Sequence, residues 1–104
     1  MKILSALAVL SLAVAGPAAF AAKRHAYVGQ ELAPTARVSM AKAQAIALKA
    51  HPGKVTDREL EKEGGGSGLR YSFDIRSGGK TFEVGVDAAT GKLLENKAEG
   101  KNPD

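Results

Sequence analysis

Asp57, Glu59, Glu61 and Glu63 stand two residues apart, so an extended chain puts all four carboxylates on one face and Arg58, Leu60 and Lys62 on the other. A row of this kind can gather a cation or a basic segment of a partner. Successive members lie ~7 Å apart at the usual strand rise, too far for one ion to collect them. That leaves two readings: a solvated strand face whose charges discourage edge-to-edge aggregation, or a docking surface for a basic partner. Asp74 and Glu83 belong to two further alternating stretches that also carry Arg70 and Arg76. Set opposite each other, two carboxylates could form an acid/base dyad, but a dyad needs a pocket and desolvation to separate its pKa values. An open sheet face offers neither, so the pair reads as surface electrostatics. The candidate partner surface is therefore Asp57, Glu59, Glu61, Arg70, Asp74, Arg76 and Glu83.

Other chemistries find no support in the residue types. The chain has no cysteine and two histidines. His51 follows a helical stretch, where a helix C-terminus favours a partly protonated imidazole, and His25 lies far from it in a segment without period. Metal and catalytic sites need several converging groups. Gly64-Gly65-Gly66-Ser67-Gly68 lacks the lysine of a phosphate loop. No catalytic, metal-ligating or cofactor-binding residue is assigned, and the chain is not read as an enzyme.

The elements that must hold the charged face are legible. Leu69, Tyr71, Phe73 and Ile75 alternate with Arg70, Ser72, Asp74 and Arg76, and Phe82, Val84 and Val86 alternate with Thr81, Glu83 and Gly85, the pattern of strands with one buried face. A two-residue Gly78-Gly79 turn sets Ile75 opposite Phe82, Phe73 opposite Val84 and Tyr71 opposite Val86. The acidic strand joins through the flexible loop 64–68, with Leu60 opposite Tyr71, Glu61 opposite Arg70 and Asp57 opposite Asp74. Val55 is out of phase with Leu60, which predicts a bulge. Beyond Asp87, a four-residue loop places Val86 opposite Leu93, whereas a three-residue loop selects Leu94. Ser39 is a candidate N-cap, and Ala43, Ile46, Ala47 and Ala50 make a narrow apolar stripe on a helix that Pro52 ends near Ala50. The expected fold is α+β: one helix packed on a four-stranded antiparallel meander over residues 38–96. Its core is Val38, Ala43, Ile46, Ala47, Ala50, Val55, Leu60, Tyr71, Phe73, Ile75, Phe82, Val84, Val86 and Leu93.

The ends read differently. Lys2, the apolar run 3–15 and Ala19-Phe20-Ala21 have the form of a cleavable signal peptide, residues 1–21; the run is too short for a bilayer span, which needs ~20 residues. Residues 22–37 form a mobile lead-in from which Tyr27, Val28 and Leu32 can pack onto the domain, and 97–104 a disordered tail. The formal charge is +4, with 11 acidic residues spread along the chain, a poor footprint for nucleic acid. The expectation is a periplasmic or secreted protein with no membrane span after cleavage.

The runs Ala45 to Val55 (Ala-Ile-Ala-Leu-Lys-Ala-His-Pro-Gly-Lys-Val), Glu59-Leu60-Glu61, Tyr71 to Ile75 and Val84 to Glu95 (Val-Gly-Val-Asp-Ala-Ala-Thr-Gly-Lys-Leu-Leu-Glu) together resemble a PepSY domain over residues 38–96. The Val-Asp-Ala-x-Thr-Gly-Lys piece is the most specific. The resemblance implies a helix on an antiparallel sheet and a family found in propeptides of thermolysin-like metallopeptidases, where it is linked to restraint of the peptidase, and in small stand-alone exported bacterial proteins. It carries no catalytic residues. The leading expectation is a non-catalytic protein- or peptide-binding module, since an exposed sheet edge can accept an extended segment by strand addition and the outer face offers acidic and basic rows for selecting a partner, an exported peptidase or another periplasmic protein; the alternative is a structural or envelope-stress protein without a tight ligand.

Overall fold

A computed structural model describes residues 26–100. The signal peptide read in residues 1–21 and the last four residues of the tail lie outside the described residues. A 3-10 helix, Gln30–Thr35, precedes helix α1, Met40–Ala50, and four strands follow: β1 Lys54–Lys62, β2 Leu69–Ser77, β3 Lys80–Asp87 and β4 Leu93–Ala98. They form one antiparallel sheet in the order β1-β2-β3-β4, and α1 lies across β2, β3 and β4 on one face.

The local chemistry explains the boundaries. The Ser39 side chain accepts a hydrogen bond from the Lys42 N–H at 3.1 Å, capping α1. Its last turn closes with the His51 N–H donating to Ala47 O before Pro52 stops it. The buried stripe is small, with Ala43 and Ala47 sealed, so α1 lies close on the sheet and Leu60, Tyr71, Phe73, Ile75, Val84 and Val86 supply the volume. The β2–β3 register matches the alternation: Ile75 faces Phe82, Phe73 faces Val84 and Tyr71 faces Val86. In β1–β2, Leu60 faces Tyr71, Glu61 faces Arg70 and Asp57 faces Asp74, with the bulge between Val55 and Asp57.

The core differs from the sequence expectation in five places. Phe82 is only partly buried and stands outside the core cluster, because its ring lies against His51 just past the helix end. Ala50, on the last turn of α1, is exposed. Leu93 does face Val86, but a shift between Gly85 and Val86 takes up Leu94 as an extra residue, and Leu93 at the sheet's edge stays 42% exposed. Met40 and Ala88 are core residues that the periodicity misses. Ala88 is buried because its N–H donates to Leu69 O while its carbonyl accepts from the Arg37 and Val38 N–H groups.

The lead-in is structured from residue 26 onward. Tyr27 and Leu32 pack against the core, while Val28 is 68% exposed. Val28 forms a parallel bridge with Glu59, and its carbonyl accepts the Leu60 N–H at 2.9 Å. Gly29, at φ +89°, lies so close that a Cβ there would stand 1.8 Å from Leu60 O. The edge of β1 is thus strapped at its centre. At the other end of the chain, β4 continues two residues past Asn96, into the stretch read as tail.

Candidate functional site

The sheet face opposite α1 holds the charged residues. The paired registers put Glu61 beside Arg70, Glu59 beside Ser72, and Asp57 beside Asp74, which in turn faces Glu83. All seven candidate residues therefore share this face, since each pairs with or alternates against the others on β1, β2 and β3. β4 adds Glu95 opposite Gly85 and Lys97 opposite Glu83, with Glu99 following as its N–H donates to Thr81 O. These three were missed because the composition turns polar after Leu94; their own two-residue spacing was the signal that could have found them. Among the described residues, no helix packs against this face.

The charges are unevenly matched. Arg70 is engaged by Glu95, Nη1 to Oε1 at 3.3 Å, and donates from Nη2 to Gly64 O at 3.1 Å; its buried Nε has no hydrogen-bond partner among the described residues. Lys97 Nζ lies 3.3 Å from Glu95 Oε2. Arg76 donates to the Thr81 hydroxyl and Arg58 to the Gln44 side chain, and the Ser72 hydroxyl donates to Glu61 at 2.7 Å. Burial pushes the Asp74 carboxyl up to about 6, helped by the charge of Glu99, a hydrogen bond shared with it, and the charge of Asp57. Burial also raises Glu59, reinforced by Glu61 and Asp57, and raises Glu83, reinforced by Glu95 and Asp74 against the opposing pull of Lys97. The face carries uncompensated negative charge at neutral pH. Its carboxylates are spread in rows across the sheet face.

At one corner of the face the Gly-rich loop is pinned. Asp87 is 2% exposed and accepts from Ser67 N–H at 2.6 Å, the Ser67 hydroxyl at 2.9 Å, Ala89 N–H at 2.7 Å and Thr90 N–H at 3.2 Å. Burial alone would raise this carboxyl, but the donors of Ala89, Ser67 and Thr90 outweigh it and hold it at about 2. Gly66 fits over the carboxylate so closely that a Cβ would stand 2.2 Å from Oδ2. The loop expected to be flexible is thus part of the scaffold. His51, on the opposite side, stacks on Phe82 with ring centroids 3.8 Å apart.

Along β1, beyond the Val28 bridge, residues 26–28 and 55–58 line an open cleft of about 470 Å³ together with Gln44. Its lining runs from Gln44 and Arg58 on the helix side to Asp57.

A single helix on an antiparallel meander, whose other face is charged and uncovered among the described residues, defines a small α+β module. The chain belongs to the PepSY family: the family described as "Peptidase propeptide and YPEB domain" matches residues 37–97. Domains of this family are propeptide-like and inhibitor-like modules, generally non-catalytic and associated with peptidases. No curated protein and no solved structure matches the chain. Among the described residues, no helix is long and apolar enough to cross a membrane.

Proposed function

We propose that the protein is an exported, non-catalytic binding module whose acidic sheet face takes a basic, extended segment of a partner protein, with restraint of an exported peptidase as the favoured form. The observation that carries this reading is the uncovered face itself: Asp57, Glu59, Glu61, Asp74 and Glu83 share it, three of them raised first by burial and then by their neighbours' charge, and a lysine- or arginine-bearing strand laid across them would offset that repulsion. The cleft beside residues 55–58 lies along β1, and an extended segment is what an exposed sheet edge accepts by strand addition. Family membership supplies the link to a peptidase.

The direct test is calorimetric titration with an extended Lys/Arg-rich peptide at two ionic strengths, using the native protein and the Glu59→Lys/Glu61→Lys variant. Binding should weaken with salt and fall at least tenfold in the variant, while the melting temperature barely moves, since exposed ion pairs are worth only ~0–1 kcal/mol each. Equal binding by both proteins would reduce the row to a solvated face. A co-purifying peptidase whose activity falls as the domain is titrated in would identify the partner class.

A further inference from the structure

The two edges of the sheet are treated differently, and the difference points to a second copy of the chain. On β1 the strap occupies the centre of the edge, where Val28 O takes the outward Leu60 N–H, and a bulge interrupts the rest. No described residue covers the outer edge of β4. The ladder fixes which of its groups are unpaired. Glu99 N–H donates to Thr81 O, so Glu99, Lys97 and Glu95 turn their backbone groups toward β3. Asn96 and Ala98 must then turn theirs outward.

Only pairing between outward residues is possible along that edge, and three twofold axes, at Glu95, Asn96 and Lys97, keep at least five residues of the 93–99 ladder paired, whereas one at Leu94 or Ala98 keeps three. A twofold axis at Glu95 sets Glu95 against its own copy, and one at Lys97 sets Lys97 against its copy and Glu95 against Glu99. Both oppose like charges across the strands, which destabilises pairing. An axis at Asn96 instead sets Glu95 opposite Lys97 twice, lets the two Asn96 residues exchange both backbone hydrogen bonds, and places Ala98 beside Leu94. The Glu95–Lys97 positions are then non-hydrogen-bonded pairs, the kind whose side chains come closest. Each Glu95 already lies 3.3 Å from its own Lys97, so the junction becomes a closed square of alternating charges.

We propose that β4 is a self-docking edge and that two chains pair antiparallel about Asn96 to form one eight-stranded sheet. The axis is perpendicular to the sheet, so both α1 helices lie on one side and both acidic faces merge on the other. Growth stops at two because the remaining edges are the strapped β1 strands, which closes the assembly as a symmetric dimer.

Five residues a side bury less than a standard interface, so association is weak and belongs in roughly the 10 µM to 1 mM range. Sedimentation velocity of the purified protein across that range should show mass rising to the dimer. Asn96→Pro removes the outward donor without touching a bond to β3 and should remain monomeric throughout. Lys97→Glu and Glu95→Lys should each weaken self-association by about tenfold or more, with circular dichroism confirming that each is folded. Mixed together they should associate again, since in this register a carboxylate then stands opposite a lysine at both pairs. A wild-type chain that stays monomeric at 1 mM would overturn the proposal, as would an Asn96→Pro variant that dimerises like wild type. A mixture of the two charge variants that remains monomeric would overturn the Asn96 register.

Discussion

Replacing Asp87 by Asn tests whether one buried carboxylate holds together three parts of the chain: the 64–68 loop, the end of β3 and the β3–β4 turn. The native side chain accepts four hydrogen bonds, from Ser67 twice, Ala89 and Thr90, and is 2% exposed. Asparagine keeps the shape but presents an amide NH₂ to donors that need an acceptor, and it removes the charge that strengthens each bond. Hydrogen bonds to a charged group are worth about 1.5–3 kcal/mol, and a donor left unsatisfied costs about 1–3 kcal/mol. Losing two of the four therefore costs about 3 kcal/mol, allowing for partial resolvation of the surface loop. In a domain of this size that lowers the melting temperature by about 12–24 °C. The pH profile gives a second readout. The folded carboxyl is held at about 2, below its ordinary 3.8, so its contribution is present above pH 4 and is lost as pH falls from about 4 to about 2. Thermal melts at pH 7 and through pH 4 to 2 should show a large drop for Asp87→Asn at neutrality and a shallower acid limb than wild type. A variant melting within about 2 °C of wild type at pH 7 would refute the clamp.

The outer face should produce the opposite slope at milder pH. Asp74, raised from 3.8 to about 6 in the fold, binds more protons in the native state between those values, so stability falls as pH rises from about 4 to about 6; Asp74→Asn should melt higher at pH 7 and flatten that limb, and a variant less stable at pH 7 would contradict it. Phe73→Ala empties the centre of the core, where Phe73 is fully buried, at a cost of ~3–5 kcal/mol; a small domain without disulfides has little reserve, so a cooperative urea transition should be lost. Gly29→Ala forces a Cβ into Leu60 O and should detach the strap, seen as faster amide exchange at Leu60 with the exchange of Phe73 little changed.

The sheet was legible because a two-residue turn and a period of two admit one register, and the Arg70–Glu61 and Asp74–Asp57 pairings followed by counting outward from Leu60 and Tyr71. What escaped depends on contacts distant in sequence. Ser67 looks like linker until Asp87, 20 residues on, takes both its donors. Ala88 looks like turn until Leu69 and Arg37 close on it. Glu95, Lys97 and Glu99 were hidden by the polarity of the stretch that carries them, and the bulge at Leu94 cannot be read from loop length alone. The alternation on β1, β2 and β3 puts their charged residues on one face; the fourth strand is expected from the sequence as well, but not the charges it adds to that face.

The strap gives this domain a different size from the one its family likeness describes. The matched segment begins at residue 37, yet Tyr27 and Leu32 seal the core and Val28 occupies the β1 edge upstream of that point. A fragment cut at the matched boundary would carry two bare edges instead of one, and its sheets would be free to polymerise end to end. The portable unit, the piece that could be grafted onto another protein and remain soluble, therefore starts no later than Tyr27. In this chain the upstream residues serve as a terminator for the sheet as well as a connection to it.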